Sequence, residues 1–262
     1  MDDLTGLSTC LESAVARLGV PWVQRVVVVR ETLSTQDFAR AMARGSPGVL
    51  VVAGRQTAGR GRLGRRWADT SHLGLAMTFV LDAGTWPVEH LAIAAGVAAC
   101  RAVERGLGEG ARVGLRWPND VVQRTGEGGP GRKLAGVLIE RDGGVALVGV
   151  GMNVLQGPED WPEELRRRVV SLRELGSSWD RARAAEGLLA EMDRALRMDL
   201  PALASEWTGL DLLVGRTSAF FHDGTVYRGR VEAIEPTSYI RLLTEDGAVA
   251  RLPALTTSML HE

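Results

Sequence analysis

Lysine is nearly missing from this sequence. Its 262 residues hold 31 lysines and arginines together, and Lys133 is the one lysine among them. Arginine serves wherever a solvated positive charge is enough, but not where a compact, rotatable ammonium must fit among other groups. Lys133 is therefore a candidate catalytic cation. Cysteine is scarce as well: Cys10 and Cys100 lack the spacing of a metal site and suggest no disulfide framework. Free thiols fit a reducing cytoplasm. The most apolar stretch, LAIAAGVAAC at 91–100, falls far short of the roughly 20 residues that span a bilayer, so no membrane partner is expected. The opening MDDLTGLSTC is acidic and carries neither the charged nor the apolar region of a secretory signal. Excess charge is lacking too. A formal charge of −1 gives no global pull toward nucleic acid or membrane, so basic patches must be local.

What is present is an ordinary soluble composition, 45% hydrophobic and 24% charged, at a length that predicts one mid-sized catalytic unit plus an appendage. VVVVRE (26–31), GVLVVAGR (48–55) and LGLAMTFVL (73–81) read as buried strands. RVGLRW (112–117), DVVQR (120–124), KLAGVLIE (133–140) and VALVGVGMN (145–153) read as four more, joined by short turns, with TGEGGPGR (125–132) as a Gly-rich mobile connection. Helices are expected over 34–45, capped by Ser34 or Thr35 and ended at Gly45, and over 88–108 as a central buried helix. Two amphipathic helices are expected at 162–172 and 177–198, the second capped by Ser177 or Ser178.

The order of elements predicts an α+β fold with a mixed, largely antiparallel sheet and packed helices, not a doubly wound parallel one. After Trp207 the texture becomes pure strand alternation with Asp-Gly turns at 223–224 and 246–247, which predicts a small barrel. The expected divisions are a short segment over 1–22, a catalytic domain over 23–208 and the barrel over 212–262. The first segment is too short for a helix-turn-helix domain, so DNA binding is not expected.

GRQTAGRGRLGRRW (54–67) contains G-x-G-x-x-G at Gly59, Gly61 and Gly64. A dinucleotide fingerprint would close a strand and open a helix at once. Here polar Gln56 and Thr57 intervene, and a turn and a strand follow. A nucleotide P-loop would need Gly-Lys-Ser/Thr, which is missing. What remains is a flexible loop with Arg60, Arg62, Arg65 and Arg66 among glycines. Glycine admits a ligand close to the backbone, and guanidinium forks grip phosphate or carboxylate at two points. A solvated basic loop and a nucleic-acid contact are the alternatives; the acidic balance and the lack of interleaved aromatics weigh against the second.

Five stretches together resemble the biotin protein ligases: STQ (34–36), GRGRLGR (59–65), RWPND (116–120), KLAG (133–136) and GVGMN (149–153). The family carries Ser-Thr-Asn, Gly-Arg-Gly-Arg-x-Gly-Arg, Lys-Trp-Pro-Asn-Asp, Lys-Leu-Ala-Gly and Gly-x-Gly-x-Asn in the same order. The resemblance covers roughly residues 26–172. Gln36 stands where asparagine is usual, and Arg116 where lysine is usual. It implies a class II synthetase-like catalytic domain with an SH3-like C-terminal barrel, of the type without an N-terminal DNA-binding domain, and a homodimer as a possible assembly.

The implied reaction joins biotin and ATP into biotinyl-5′-adenylate, with Mg²⁺ neutralising pyrophosphate. The biotinyl group then passes to a lysine of a biotin carboxyl carrier protein. The resemblance assigns biotin to Ser34, Thr35, Gln36, Gln56, Gly59, Arg60, Gly61, Arg62, Lys133, Gly136 and Leu138. It assigns ATP and the adenylate to Arg62, Arg65, Trp67, Arg116, Asn119, Lys133 and Asn153. Bringing a carboxylate to a phosphate at about 4 Å costs on the order of 4 kcal/mol at an effective dielectric near 20. Lys133, Arg60 and Arg62 are the candidate cations that offset it. Asp120 is the candidate for steering the incoming lysine or accepting its proton, and no metal ligand is assigned. The alternatives are a lipoate protein ligase of the same fold, or a nucleic-acid-binding regulatory module.

Overall fold

Strands that are apolar on both faces must be covered on both faces, and the central strands here are of that kind. The computed structural model describes residues 4–68, 72–110 and 112–260. Seven strands, β1 (Arg25–Val29), β2 (Val49–Ala53), β3 (Gly74–Asp82), β4 (Val113–Arg116), β5 (Asp120–Arg124), β6 (Pro130–Asp142) and β7 (Val145–Asn153), form one sheet. Its order is β1-β2-β3-β7-β6-β5-β4. β1 and β2 are parallel and every other neighbour is antiparallel, which is the mixed, largely antiparallel sheet expected.

The two faces separate by residue parity. Leu50, Val52, Phe79 and Val148 enter the larger core, beneath helices α1 (Leu4–Leu18), α3 (Val88–Leu107), α4 (Arg181–Leu196) and α5 (Leu200–Leu210). Val51, Val80 and Leu147 face the other way, onto Ala39 and Ala43 of helix α2 (Thr35–Ala43). α3 is the central helix predicted, with Ala94, Ala95, Ala98, Ala99 and Ala102 fully buried. α1 lays Leu7, Leu11 and Ala14 into the same core.

The sequence misleads at several boundaries. Residues 162–172 form turns rather than a helix, because their backbone is claimed by β6: Lys133 N–H donates to Arg168 O at 2.8 Å, and Val170 N–H to Lys133 O at 2.9 Å. α4 starts at Arg181 with Asp180 as its cap, since Ser177 instead donates to Gly106 O at 2.5 Å. α5, capped by Asp199, is a helix the periodicity did not separate from its neighbour. The 125–132 connection is a closed hairpin turn in which Thr125 N–H donates to Gly129 O, and Pro130 already belongs to β6. The left-handed end of α2 falls at Arg44, one residue before Gly45.

The C-terminal strands β8 (Thr217–His222), β9 (Thr225–Glu235), β10 (Tyr239–Thr244), β11 (Val249–Pro253) and β12 (Ser258–Met259) form an antiparallel sheet in the order β11-β10-β9-β8-β12. β11 and β12 are its edges, so the expected closed barrel is not formed among the described residues. β12 is two residues long and pairs with β8. An apolar seam fastens this sheet to the main one. Trp117 packs edge-on to Phe220 with centroids 6.3 Å apart, its indole N–H donates to Pro236 O at 3.2 Å, and Leu212 N–H donates to Leu115 O at 3.0 Å. Phe220→Ala should therefore cost about 3–5 kcal/mol, the range for emptying a fully buried aromatic site, as read by urea unfolding.

Candidate active site

The polar end of the site is built where α2 meets the loop leaving β2. Ser34 caps α2 by accepting from Gln36 N–H, and Thr35 donates to Gln56 Oε1 through both its backbone N–H (2.8 Å) and its hydroxyl (3.0 Å). Thr78 on β3 donates in turn to the Thr35 hydroxyl at 2.9 Å. All four side chains are buried, so their remaining hydrogen-bonding capacity faces a small enclosed space. Gln36 sends its amide nitrogen to the Leu138 and Leu147 carbonyls at 2.9 and 3.3 Å. A Cβ at Gly149 would sit 2.6 Å from that nitrogen, so glycine there makes room for the longer side chain. Gln36 Oε1 is buried without a hydrogen-bond partner.

The glycine loop folds back on itself: Gly61 N–H donates to Arg65 O, Trp67 N–H to Gly59 O, and a short 3₁₀ turn spans Arg62–Gly64. Gly64 lies at φ 73°, a backbone that favours glycine, and no helix follows. The loop delivers Trp67 onto the sheet. A Cβ at Gly151 would come within 2.6 Å of the indole and one at Gly136 within 3.2 Å, which is why the KLAG and GVGMN motifs need glycine. Arg60 turns outward to Asp37 and Glu140 at 2.7 and 2.9 Å. Arg62 is half-buried and donates to the Ala254 carbonyl of the C-terminal sheet. Burial, only partly offset by Asp120, lowers its pKa, with Arg65 adding to the effect. A guanidinium held by a single carbonyl keeps donors that could be offered to an anion.

The RWPND turn joins β4 to β5 and sets Arg116 opposite Asp120. A register shift after Val121 then places Lys133 of β6 beside Val122. The result is a row of three charges: Lys133 Nζ lies 2.5 Å from Asp120 Oδ1, and Arg116 donates to Asp120 Oδ2 at 2.9 Å. Lys133 Nζ also stands 5.2 Å from the centroid of a Trp67 ring. Burial alone would raise the Asp120 carboxyl, but Lys133 and then Arg116 outweigh it and hold its pKa below the usual range. Asn119 fixes the turn by donating to Val137 O at 2.6 Å. Asn153 donates to the carbonyls of Lys133 and Val170, both at 3.1 Å, and so holds the strand that carries the lysine.

These groups surround a cavity of about 160 Å³ lined by every predicted site residue except Gly59 and Asn153. Gly59 is a spacer, its absent Cβ leaving room for the Trp67 carbonyl. Asn153 lines a second cavity of about 520 Å³, together with Trp161, Leu165 and Arg168. The first cavity is walled by six cations and one carboxylate, Asp120. The two cavities share Arg65, Arg66, Trp67, Arg116, Asp120 and Lys133, so they meet at the charged row. Among the described residues no group of three His, Cys, Asp or Glu side chains could cage a metal ion.

A biotin–[acetyl-CoA-carboxylase] ligase of Mycobacterium tuberculosis is 35% identical over 207 residues, which are 75% of this chain and 74% of that protein. The chain belongs to the biotin protein ligases. The family model described as "Biotin/lipoate A/B protein ligase family" matches residues 28–156. The bifunctional ligase/repressor BirA of Bacillus subtilis is 30% identical over 82% of this chain and 68% of its own length. Among solved structures, a biotin protein ligase from Aquifex aeolicus in complex with biotin and ATP superposes with a TM-score of 0.77. It is 26% identical, over 91% of this chain and all of that one.

Three parts of this candidate site had no signal in the sequence. Thr78 looks like any strand residue. Arg168 and Leu165 lie in a segment read as helix. Thr257, Ser258 and Met259, which line the first cavity, come from the far end of the chain. The depressed Asp120 carboxyl has a consequence for stability. A carboxylate with a lowered folded-state pKa contributes stability that is present above its unfolded value and lost as pH falls through the folded one. Asp120→Asn should therefore be destabilising at pH 7 in urea unfolding, with the deficit against wild type shrinking below about pH 4.

Proposed function

We propose that this ligase condenses biotin with ATP to biotinyl-5′-adenylate and transfers the biotinyl group to a lysine of the biotin carboxyl carrier of an acetyl-CoA carboxylase. The observation that carries the reading is the meeting of the two cavities at Lys133. The first has a buried polar end at Ser34, Thr35 and Gln56, which suits a ureido ring, and a sheet floor along Gly136 and Leu138, which suits an apolar tail. The second is bordered by Arg65, Arg66 and Arg168 and suits a nucleotide.

With a carboxylate arriving from one side and an α-phosphate from the other, Lys133 Nζ stands between them and offsets their repulsion. A carboxylate oxygen bonds to the α-phosphorus and pyrophosphate leaves. Arg62, now held only by a carbonyl, is placed to exchange that partner for the adenylate. Trp67 and the glycine loop cover the mixed anhydride and keep water from it. Magnesium enters as MgATP, for no protein cage is needed when the phosphates supply most of its ligands. In the second step the acceptor amine attacks the acyl carbon and AMP departs. Asp120 is too weakly basic to take the proton; its role is to align Lys133 and to attract the incoming ammonium. Gln36 takes part through Oε1, since its amide nitrogen is bound to the sheet.

A lipoate ligase reading fares worse because a dithiolane offers no hydrogen-bonding atoms to the polar cavity end formed by Ser34, Thr35 and Gln56. Pyrophosphate release on adding MgATP should require biotin and should not occur with lipoate; the reverse would overturn the assignment. In the same assay Lys133→Arg should slow adenylation at least about tenfold, some 1.4 kcal/mol of barrier, because a planar fork cannot occupy the ammonium's place.

A further inference from the structure

Adenylation and transfer involve three reactants, and the two cavities hold two of them. A third approach exists. A groove of about 920 Å³ runs between the β5–β6 hairpin, the turns near Arg168 and strand β8. Arg116 lines it and also lines both reactant cavities, so the groove ends at the guanidinium bonded to Asp120. Its walls carry Arg132, Arg167, Arg168, Arg216 and Arg228 besides Arg116, against two carboxylates, Glu127 and Glu245. Arg132 is paired with Glu174. Arg216 donates to the Glu127 carbonyl at 2.6 Å, which fixes one wall, and pairs with no carboxylate among the described residues. Arg167 and Arg168 are exposed and make no ion pair with a described residue.

We propose that this groove docks an acidic surface of the acceptor protein beside its target lysine, so that the amine reaches the acyl carbon past Arg116. The inference rests on the ligase reading. Attack forms the amide bond as the acyl–oxygen bond to phosphate breaks; AMP takes the electron pair and the amine's proton passes to solvent. A polynucleotide fits the groove less well. No aromatic side chain lines it for bases to stack on, and Glu127 and Glu245 oppose a run of phosphates while accommodating the mixed charges of a protein surface.

Arg167→Glu and Arg228→Glu test this, because both residues are exposed and lie outside the reactant cavities. Biotin-dependent pyrophosphate exchange measures adenylation. Single-turnover transfer of preformed biotinyl-adenylate to the carrier domain of an acetyl-CoA carboxylase measures the second step, at low and at high salt. Exchange should stay at the wild-type rate, while the second-order transfer rate at low salt falls about tenfold in each variant and loses part of its salt dependence. Wild-type transfer by both variants would overturn the docking site. So would binding of a single-stranded oligonucleotide that both variants lose while transfer is untouched. Absence of exchange in the wild-type protein would overturn the ligase reading as well.

Discussion

A half-buried carboxylate between two cations governs this molecule. Asp120 is held by Lys133 and Arg116 at 2.5 and 2.9 Å, on three adjacent strands, and the row has one positive charge left over. Removing Asp120 would leave two cations facing each other with no counter-charge between them, which is why the carboxylate tolerates little change. The surplus is also what two mutually repelling anions require. The same pairing therefore fixes the β4–β5–β6 corner and, in the proposed reaction, would supply the field for it. Asn119 and Asn153 serve it by pinning the turn and the strand, and the glycines of β6 and β7 serve it by letting Trp67 lie flat beside the ammonium.

Much of this was legible in the sequence, for identifiable reasons. Strands apolar on both faces and a helix of small residues announce a covered sheet. The short motifs mark sharp local requirements, such as a turn after Arg116 and a flat floor at Gly136 and Gly151; the strand expected to start at Lys133 begins three residues earlier, at Pro130. Such requirements are written within a few neighbouring residues. Residues 162–172 show what is not: their spacing satisfies a helix, yet two backbone hydrogen bonds to Lys133 outweigh it. Thr78, Arg168 and Met259 reach the site only through tertiary packing, and no local pattern records that. The C-terminal strands were legible as strands, but their order, with β11 and β12 left as edges among the described residues, is a tertiary outcome that no local pattern records.

The C-terminal sheet is more than an appendage. Arg62 of the glycine loop holds the carbonyl of Ala254, and Thr257, Ser258 and Met259 line the cavity. The Trp117–Phe220 seam lies on the same turn that sets Arg116 and Asp120. Movement of this sheet would thus be felt at the loop and at the charged row together. That arrangement gives the smaller sheet leverage over both the cover and the floor of the site.

The engagement of Lys133 with Asp120 bears on the fate of the enzyme itself. A mixed anhydride is a reagent for amines, and any ligase that makes one is exposed to its own product. In this chain the sole lysine side chain is already engaged with a carboxylate, and the positive charges elsewhere are guanidiniums, which do not compete as nucleophiles at neutral pH. Apart from that lysine, the amine the protein offers to such a reagent is its own amino terminus.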